Sequence, residues 1–249
     1  MARSQRAHVE ERQGAMETTI ELLTSIGVFL AGLAARAGLV LAVIAVLSIP
    51  LMLVAAVLRA AEELKRRNLG LRDVAGVLFR PDLWYAPTHT WLARRRDGEL
   101  AIGLDGLAAR LLPSVTGLEV ARAGTRVEKG EPLATLYAGA RTLTIPAPVT
   151  GTVTGANRAA LRDPALVRAE GYGRGWIVAV KPAGEDFAEL PRGDRAEKFM
   201  RAEAARWDRF VETELCYAAA DGGHLVAPVP ALIGEEGWRK LAAAFAGAR

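Results

Sequence analysis

The longest run of apolar positions lies near the amino terminus. From Ala37 to Leu58 the sequence contains no charged residue, and about 20 apolar residues are enough for a helix to cross the hydrocarbon core of a bilayer. The pattern therefore predicts a transmembrane helix over residues 37–59, kinked at Pro50 because proline removes one backbone hydrogen bond. A cleavable signal peptide is the alternative, but the apolar run begins late and is longer than the apolar core of such signals.

The segments on either side of this run are more polar. Residues 1–16 mix charges without an apolar period, so we expect a poorly ordered polar tail. Residues 17–36 are mostly apolar but contain Glu21, which favours an amphipathic or interfacial helix, an extension of the span, or a short first span. Residues 60–82 are predicted as a juxtamembrane helix followed by a linker.

Basic residues flank the predicted span unevenly. Arg36 is the near basic residue on the amino side, whereas the carboxyl side carries Arg59, Lys65, Arg66, Arg67 and Arg72. The positive-inside rule then predicts a single-pass protein of the inner (cytoplasmic) membrane with its carboxyl-terminal domain in the cytoplasm. The same cations can lie on anionic head groups, and a single cysteine, Cys216, agrees with a reducing compartment.

After residue 82 the pattern changes to short alternating segments. TWLARRR and ELAIGL alternate around Asp97-Gly98, a dipeptide suited to a two-residue hairpin turn. The segment 104–111 has helical spacing and ends before Pro113. Five more short strands follow, separated by Gly and Pro signals: GLEVA, PLATLY, TLTIPA, VTGTVT and GWIVAVKP. Short strands at near-regular spacing predict a mainly β domain over residues 83–183, built as a small flattened barrel or sandwich.

The last part of the chain, residues 184–249, is predicted to be a helical extension. Residues 194–219 form an amphipathic helix with an apolar stripe of Met200, Ala204, Trp207, Val211, Leu215 and Ala218. This stripe either packs on the barrel or binds a partner in part. The candidates for partner contact are Trp207, Phe210, Val211 and Leu215. Gly and Pro residues then separate a final helix that carries Trp238, Leu241 and Phe245.

Composition and motifs argue against several classes of function. The net charge is +4, but no long run of basic residues and no basic-aromatic interleaving occurs, so we expect no nucleic-acid binding. The three histidines and one cysteine lack metal-ligand spacing. No nucleophile elbow, carboxylate pair or phosphate-binding lysine motif is present. The sequence therefore predicts no enzyme, no metal and no cofactor, and His89 is interpreted as a structural residue.

Six short motifs occur in order between residues 83 and 183. They are Tyr85-x-x-x-His89-x-Trp91, Ala101-Ile102-Gly103-Leu104, the turn Gly124 to Glu131, Ala147-Pro148-Val149-Thr150-Gly151, Tyr172-Gly173-Arg174-Gly175-Trp176, and Lys181-Pro182. In this order they resemble the H protein of the glycine cleavage system. The resemblance implies a barrel-sandwich hybrid fold of the lipoyl type, here with an amino-terminal transmembrane helix and a carboxyl-terminal helical extension.

The same resemblance implies a lipoylated lysine at the tip of the hairpin within Thr125–Gly151. Counted back from Pro148, the family's lysine position is Ala140, with Arg141 beside it. Neither has an acylable amine, because an arginine side chain stays protonated in proteins. Tyr137 stands where the family has a glutamate. The five lysines of the chain lie elsewhere, so we expect no lipoylation and no carrier activity.

The sequence-based hypothesis is a non-catalytic, membrane-anchored accessory or assembly subunit. It would belong to a cytoplasm-facing membrane complex, a redox complex being one candidate, and would use the unlipoylated domain as an interaction scaffold. Its expected partners are the lipid bilayer and other subunits. Two alternatives remain open: a functional carrier modified at another lysine, and a periplasmic adaptor of the membrane-fusion type.

Overall fold

The computed structural model describes residues 2–214 and 233–247 of the chain. It divides into two compact units, Met1–Leu64 and Lys65–Arg249. Leu215 and Ala218 of the predicted apolar stripe, together with Cys216, lie outside the described residues.

The amino-terminal unit belongs to one long helix, α1, which extends over Ala2–Asn68. Residues 2–16, for which the sequence predicts a polar tail, belong to this helix, and the helix continues past Pro50 without interruption. The exposed large apolar side chains that α1 presents, between Leu22 and Leu64, are 46–71% exposed. By length and composition, the part of α1 from Leu22 onward could cross a membrane.

The residues after α1 form a hairpin, which corrects the predicted linker. Strands β1 (Arg72–Val74) and β2 (Val77–Phe79) pair antiparallel. Ala75 and Gly76 form the turn, both with positive φ angles, as the common two-residue hairpin turn requires. Val74, Val77 and Phe79 are buried in the core of the β domain. The sequence predicted that the globular domain starts at residue 83, but the domain begins earlier, with this hairpin.

The β domain contains nine further strands in chain order. They are β3 (Trp84–Tyr85), β4 (Thr90–Arg94), β5 (Leu100–Leu104), β6 (Gly117–Val120), β7 (Arg126–Val127), β8 (Pro132–Ala138), β9 (Arg141–Pro146), β10 (Gly151–Ala156) and β11 (Val178–Pro182). A six-stranded sheet has the order β3-β4-β5-β11-β10-β7, and a three-stranded sheet has the order β6-β8-β9. The predicted mainly β class is confirmed, including the hairpin at Asp97-Gly98 that joins β4 to β5.

The alternation of side chains along the strands produces one hydrophobic core. In β9, for example, Leu143 and Ile145 are buried whereas Thr142 and Thr144 are exposed, because successive residues of a strand point to opposite faces. Burial of each such large apolar side chain contributes about 1.5–3 kcal/mol. The cluster formed this way extends from the hairpin β1–β2 to the carboxyl-terminal helices.

Helices are short within the β domain and longer after it. The predicted helix over 104–111 is only a 3-10 turn, Ala108–Arg110, and a second 3-10 turn follows at Asp186–Glu189. Two short helices that the sequence did not predict are α2 (Arg158–Arg162) and α3 (Leu166–Ala169). The carboxyl-terminal extension contains α4 (Asp194–Glu214) and α5 (Glu235–Ala246).

Candidate functional site

The hairpin β8–β9 ends in a two-residue turn. Ala138 pairs with Arg141, so Gly139 and Ala140 form the loop. Gly139 has a φ of 63°, a value that glycine adopts without strain, and it stands at the first loop position as in one of the two favoured hairpin turns. Both loop residues are exposed. The tip is therefore a tight, solvent-facing turn whose side chains carry no amine.

Arg141, the residue after this turn, is fastened to the carboxyl-terminal extension. Its Nη2 donates a hydrogen bond to the backbone oxygen of Ile233 at 2.9 Å. Its Nε lies 3.5 Å from Oε2 of Glu235, and its side chain is only 16% exposed. The guanidinium carbon also lies 5.5 Å from the ring centre of Trp238. These contacts connect the base of the turn to the start of α5.

Helix α5 packs on the same strand. Elements α5 and β9 are in contact, and Trp238 Nε1 donates a buried hydrogen bond of 2.8 Å to the backbone oxygen of Leu111. The apolar side chains that the sequence assigned to this helix, Trp238, Leu241 and Phe245, are all buried. Helix α5 therefore packs on the domain through its buried apolar side chains.

Tyr137 occupies the position where the resemblance predicts a glutamate. Its hydroxyl donates a hydrogen bond of 2.9 Å to Oε2 of Glu119 on the neighbouring strand β6. This hydrogen bond is the main reason why the pKa of Tyr137 is raised above its ordinary value. The side chain thus supports the sheet beneath the turn and brings no acidic group to it.

A second cluster of polar groups lies in the interior, around His89. Its side chain is fully buried, Nδ1 is 2.8 Å from Oδ2 of Asp105, and Nε2 is 3.3 Å from Oε2 of Glu203 without the alignment of a hydrogen bond. Asp105 Oδ1 also accepts the backbone N–H groups of Leu107 and Ala108, each at 2.9 Å. Glu203 is in turn paired with Arg206. We call His89, Asp105, Glu203 and Arg206 the histidine network.

The network keeps His89 positively charged. Burial alone lowers the pKa of His89, but the charge and hydrogen bond of Asp105, followed by Glu203, outweigh burial and raise the pKa to about 9. The pKa of Glu203 shifts in the opposite direction. Burial raises it, but the contacts with His89 and then with Arg206 outweigh burial, so the pKa of Glu203 lies below its ordinary value. At neutral pH a charged His89 imidazolium therefore faces an ionised Glu203.

Aromatic rings surround these charges. The ring centres of Phe199 on α4 and Phe245 on α5 lie 6.0 and 5.8 Å from that of His89. Arg206 donates a hydrogen bond to the backbone oxygen of Ala244, and its guanidinium carbon lies 4.2 Å from the Phe245 ring centre. The site joins the β domain, α4 and α5 in one buried arrangement.

The predicted partner contacts on α4 are placed differently from one another. Trp207 and Val211 are 4% and 3% exposed and pack inside the chain, with Trp207 edge-on to Phe245 at 5.1 Å. Their part of the apolar stripe packs within the protein, which is one of the two alternatives that the sequence left open, and contact of these residues with a partner stays a prediction. Phe210 is half-buried and also edge-on to Phe245, and Leu215 lies outside the described residues.

Sequence reasoning missed three members of the histidine network. Asp105, Glu203 and Arg206 are distant from His89 in sequence and form no recognisable spacing with it. The signal that was available is local: an aspartate just before a helical turn commonly caps its backbone N–H groups, as Asp105 does for Leu107 and Ala108. Within residues 2–214 and 233–247, no group of three or more acidic, His or Cys side chains is placed to hold a metal ion.

The six-stranded sheet and the three-stranded sheet, which contains the tight hairpin β8–β9, define a β-sheet-rich, H-protein-like domain. The family model for the glycine cleavage H-protein matches residues 83–203, which extends past residue 183 into α4. Glycine cleavage system H protein 3 of Aquifex aeolicus is 32% identical over 151 residues, covering 58% of this chain and 94% of that protein. A probable glycine cleavage system H protein of Aeropyrum pernix is 37% identical over 111 residues, covering 44% and 77%.

The chain therefore belongs to the glycine cleavage H-protein family. Among solved structures, the crystal structure of a glycine cleavage system H protein from Mycobacterium marinum matches with a TM-score of 0.40 and 24% identity, covering 44% of this chain and 96% of that chain.

Proposed function

We propose that this protein is a non-catalytic, membrane-anchored accessory or assembly subunit of a cytoplasm-facing membrane complex. It uses an unlipoylated H-protein-like domain as an interaction scaffold and needs no cofactor. The observation that carries the proposal is the turn of hairpin β8–β9, where Gly139 and Ala140 offer no amine. The adjacent Arg141 cannot replace it, because its side chain ends in a guanidinium rather than an acylable amine and contacts α5.

Two properties of α1 support the membrane part of the proposal. The first is its exposed apolar surface, which water solvates poorly and which the acyl chains of a bilayer would cover. The second is the charge after the apolar stretch: Arg59, Lys65, Arg66 and Arg67 lie on its carboxyl side. By the positive-inside rule this favours a single pass with the β domain in the cytoplasm.

The scaffold part of the proposal rests on what the domain retains. Its core is well packed, and the hairpin that would display a prosthetic group is present with a tight, exposed turn. A domain that keeps this fold without the reactive amine cannot transfer a lipoyl-bound group, but it can still bind other subunits through its surface. Because α4 and α5 turn their apolar faces inward, binding to other subunits would use their charged outer faces, the half-buried Phe210 or the hairpin itself.

Purification of the full-length protein from its native membrane tests the proposal. In mild detergent, we expect other chains to accompany it in fixed stoichiometry through affinity and size-exclusion steps. A single-span membrane protein of unrelated fold with the same tag serves as the control for non-specific capture. A strictly monomeric particle without accompanying chains contradicts the proposal, and so does an intact mass that reveals a lipoyl group on any lysine.

A further inference from the structure

The two helices of the carboxyl-terminal extension contact different hairpins of the domain. Helix α4 packs against β1 and β2 and brings Glu203 to His89. Helix α5 packs against β9, which lies at the edge of the three-stranded sheet. The extension therefore connects the hairpin that follows α1 with the hairpin β8–β9.

The two helices are attached to each other as well as to the domain. Arg206 of α4 donates to the backbone oxygen of Ala244 in α5. The ring of Phe245 in α5 forms T-shaped contacts with Trp207 and Phe210, with ring centres 5.1 and 5.8 Å apart. Because these contacts share one interface, loss of α4 from the domain should also loosen α5. We call α4 and α5 together the C-terminal strap.

The strap meets the domain at a charged group in the interior. Asp105 faces His89 from the end of β5, Glu203 faces it from α4 with Arg206 behind, and α5 presents only the ring of Phe245. A neutral imidazole would leave the two carboxylates with Arg206 as the only cation of the network. Breaking one partner from a buried charge network is strongly destabilising, since it leaves an uncompensated charge. Docking of the strap is thus coupled to the charge on His89.

The strap also controls access to one side of the hairpin β8–β9. In the closed arrangement Arg141 is bonded to Ile233, faces Glu235 and lies against Trp238. Another protein can reach this side of the hairpin only when α5 has moved away.

We propose that the C-terminal strap is an autoinhibitory element, closed over the Arg141 side of hairpin β8–β9 by the charged histidine network and opened when that network is broken. The strap is closed at neutral pH, so a partner subunit would have to displace it in order to bind the hairpin. This rests on the proposed role as an interaction scaffold, but opening itself requires no partner and is measured without one.

Hydrogen exchange of the full-length protein in detergent tests the proposal. Glu203→Gln keeps the shape of the side chain and removes its charge. At pH 7 we expect amide exchange in β9 and α5 to become about tenfold faster or more, because loss of the Glu203 charge weakens the docking of the strap. Exchange in β10 and β11, which belong to the six-stranded sheet rather than to the sheet of β9, should stay unchanged.

Glu197→Gln is the matched control. Glu197 lies on the same helix, but its partners are the surface residues Arg201 and Arg72, and exposed ion pairs contribute little. Exchange in this variant should equal that of the wild type. The proposal is overturned if Glu203→Gln leaves β9 and α5 unchanged, or if it accelerates β10 and β11 equally, because uniform acceleration indicates a purely structural role.

A second variant addresses the histidine directly. His89→Asn removes the titrating group, and asparagine tolerates the positive φ of 57° at this position. We expect rapid exchange of β9 and α5 in this variant at pH 7, with wild-type protein at pH 10 approaching the same pattern after correction for intrinsic rates. If this variant does not fold, Glu203→Gln alone decides. Failure to find partner subunits would contradict the proposed function and leave this measurement unaffected.

Discussion

At the scale of single residues, His89 combines a positive φ angle with a fully buried side chain. Its φ of 57° is uncommon for a residue other than glycine. The turn is held by its N–H, which donates to Ala86, and by its carbonyl, which accepts from Asp105, each at 3.0 Å. This backbone conformation places the imidazole between Asp105 and Glu203. The sequence identified His89 as a framework position, and the structure adds its charge and its partners.

The histidine network predicts a specific dependence of stability on pH. Because the pKa of His89 is about 9 in the folded protein and about 6.5 when unfolded, its contribution is fully present below pH 6.5. It is lost as the pH rises through 9. The wild type should have a larger free energy of unfolding than His89→Asn at pH 6. We expect this difference to fall by on the order of 1–3 kcal/mol between pH 6 and pH 10.

Urea unfolding of the full-length protein in mild detergent, followed by tryptophan fluorescence at pH 6, 8 and 10, measures this difference. Glu197→Gln should parallel the wild type at every pH. A difference between wild type and His89→Asn that is constant with pH would show that the pKa of His89 is not raised in the folded protein.

At the scale of elements, the hairpin β8–β9 has an exposed turn and, directly after it, a residue that contacts α5. Gly139 and Ala140 are exposed, whereas the next side chain, Arg141, is mostly buried against α5. Neighbouring residues of the hairpin therefore differ sharply in access to solvent. The sequence located this turn, but it could not show that Arg141 would be engaged by residues about a hundred positions later.

This difference gives a paired prediction on modification of the hairpin. A lipoyl ligase should acylate Ala140→Lys, because the new amine would extend from the exposed turn. Arg141→Lys should be modified far less, since its side chain would take the position against Ile233 and Glu235 that Arg141 occupies.

Intact-mass spectrometry after co-expression with the ligase reads out both variants, with the wild type as the unmodified reference. Equal modification of the two variants would contradict the placement of the side chain at position 141 against Ile233 and Glu235. Absence of modification on Ala140→Lys would mean that the hairpin has lost carrier geometry as well as the amine.

At the scale of the whole molecule, the chain contains two units with opposite solvent requirements. The β domain buries its large apolar side chains, and Leu161 is the exposed exception among the described residues after Leu64. In contrast, the large apolar side chains of α1 that the structure describes between Leu22 and Leu64 are exposed. An exposed apolar surface of this extent is not expected of a protein that is monomeric in water.

Charge placed in α1 should reveal whether this surface lies in a bilayer. Leu47 and Leu51 are 70% and 71% exposed and one turn apart. Replacing both by arginine should cost about 5–7 kcal/mol of membrane insertion, at 2.5–3.5 kcal/mol for each charge near the helix centre. We expect the double variant to be extracted from membranes by alkaline carbonate, whereas the wild type stays in the pellet.

Ala60→Arg with Leu64→Arg is the matched control, because it has the same spacing on the same helix but lies beyond the charge-free stretch. This control should remain in the pellet. If the Leu47 and Leu51 variant stays there too, the bilayer is not what covers α1.

The sequence predicted elements with strong local signals. The strands from Thr90 onward other than the two-residue β7, the hairpin at Asp97-Gly98 and the amphipathic α4 follow from alternation, turn residues and the helical period. Hairpin β1–β2 was missed because its three-residue strands are too short for a period to appear, and its turn has alanine where glycine or asparagine is usual. Residues 104–111 have helical spacing, but only three of them form a 3-10 turn.

The sequence by itself determined the β-rich class, the apolar helix and the absence of an amine at the hairpin turn, since each depends on residues close together in the chain. Tertiary structure decided how the extension is used. Trp207 and Val211 could equally have faced a partner, and only packing against Phe245 and its neighbours placed them inside. The charge on His89 likewise depends on Asp105 and Glu203, which folding brings together across 98 positions of sequence.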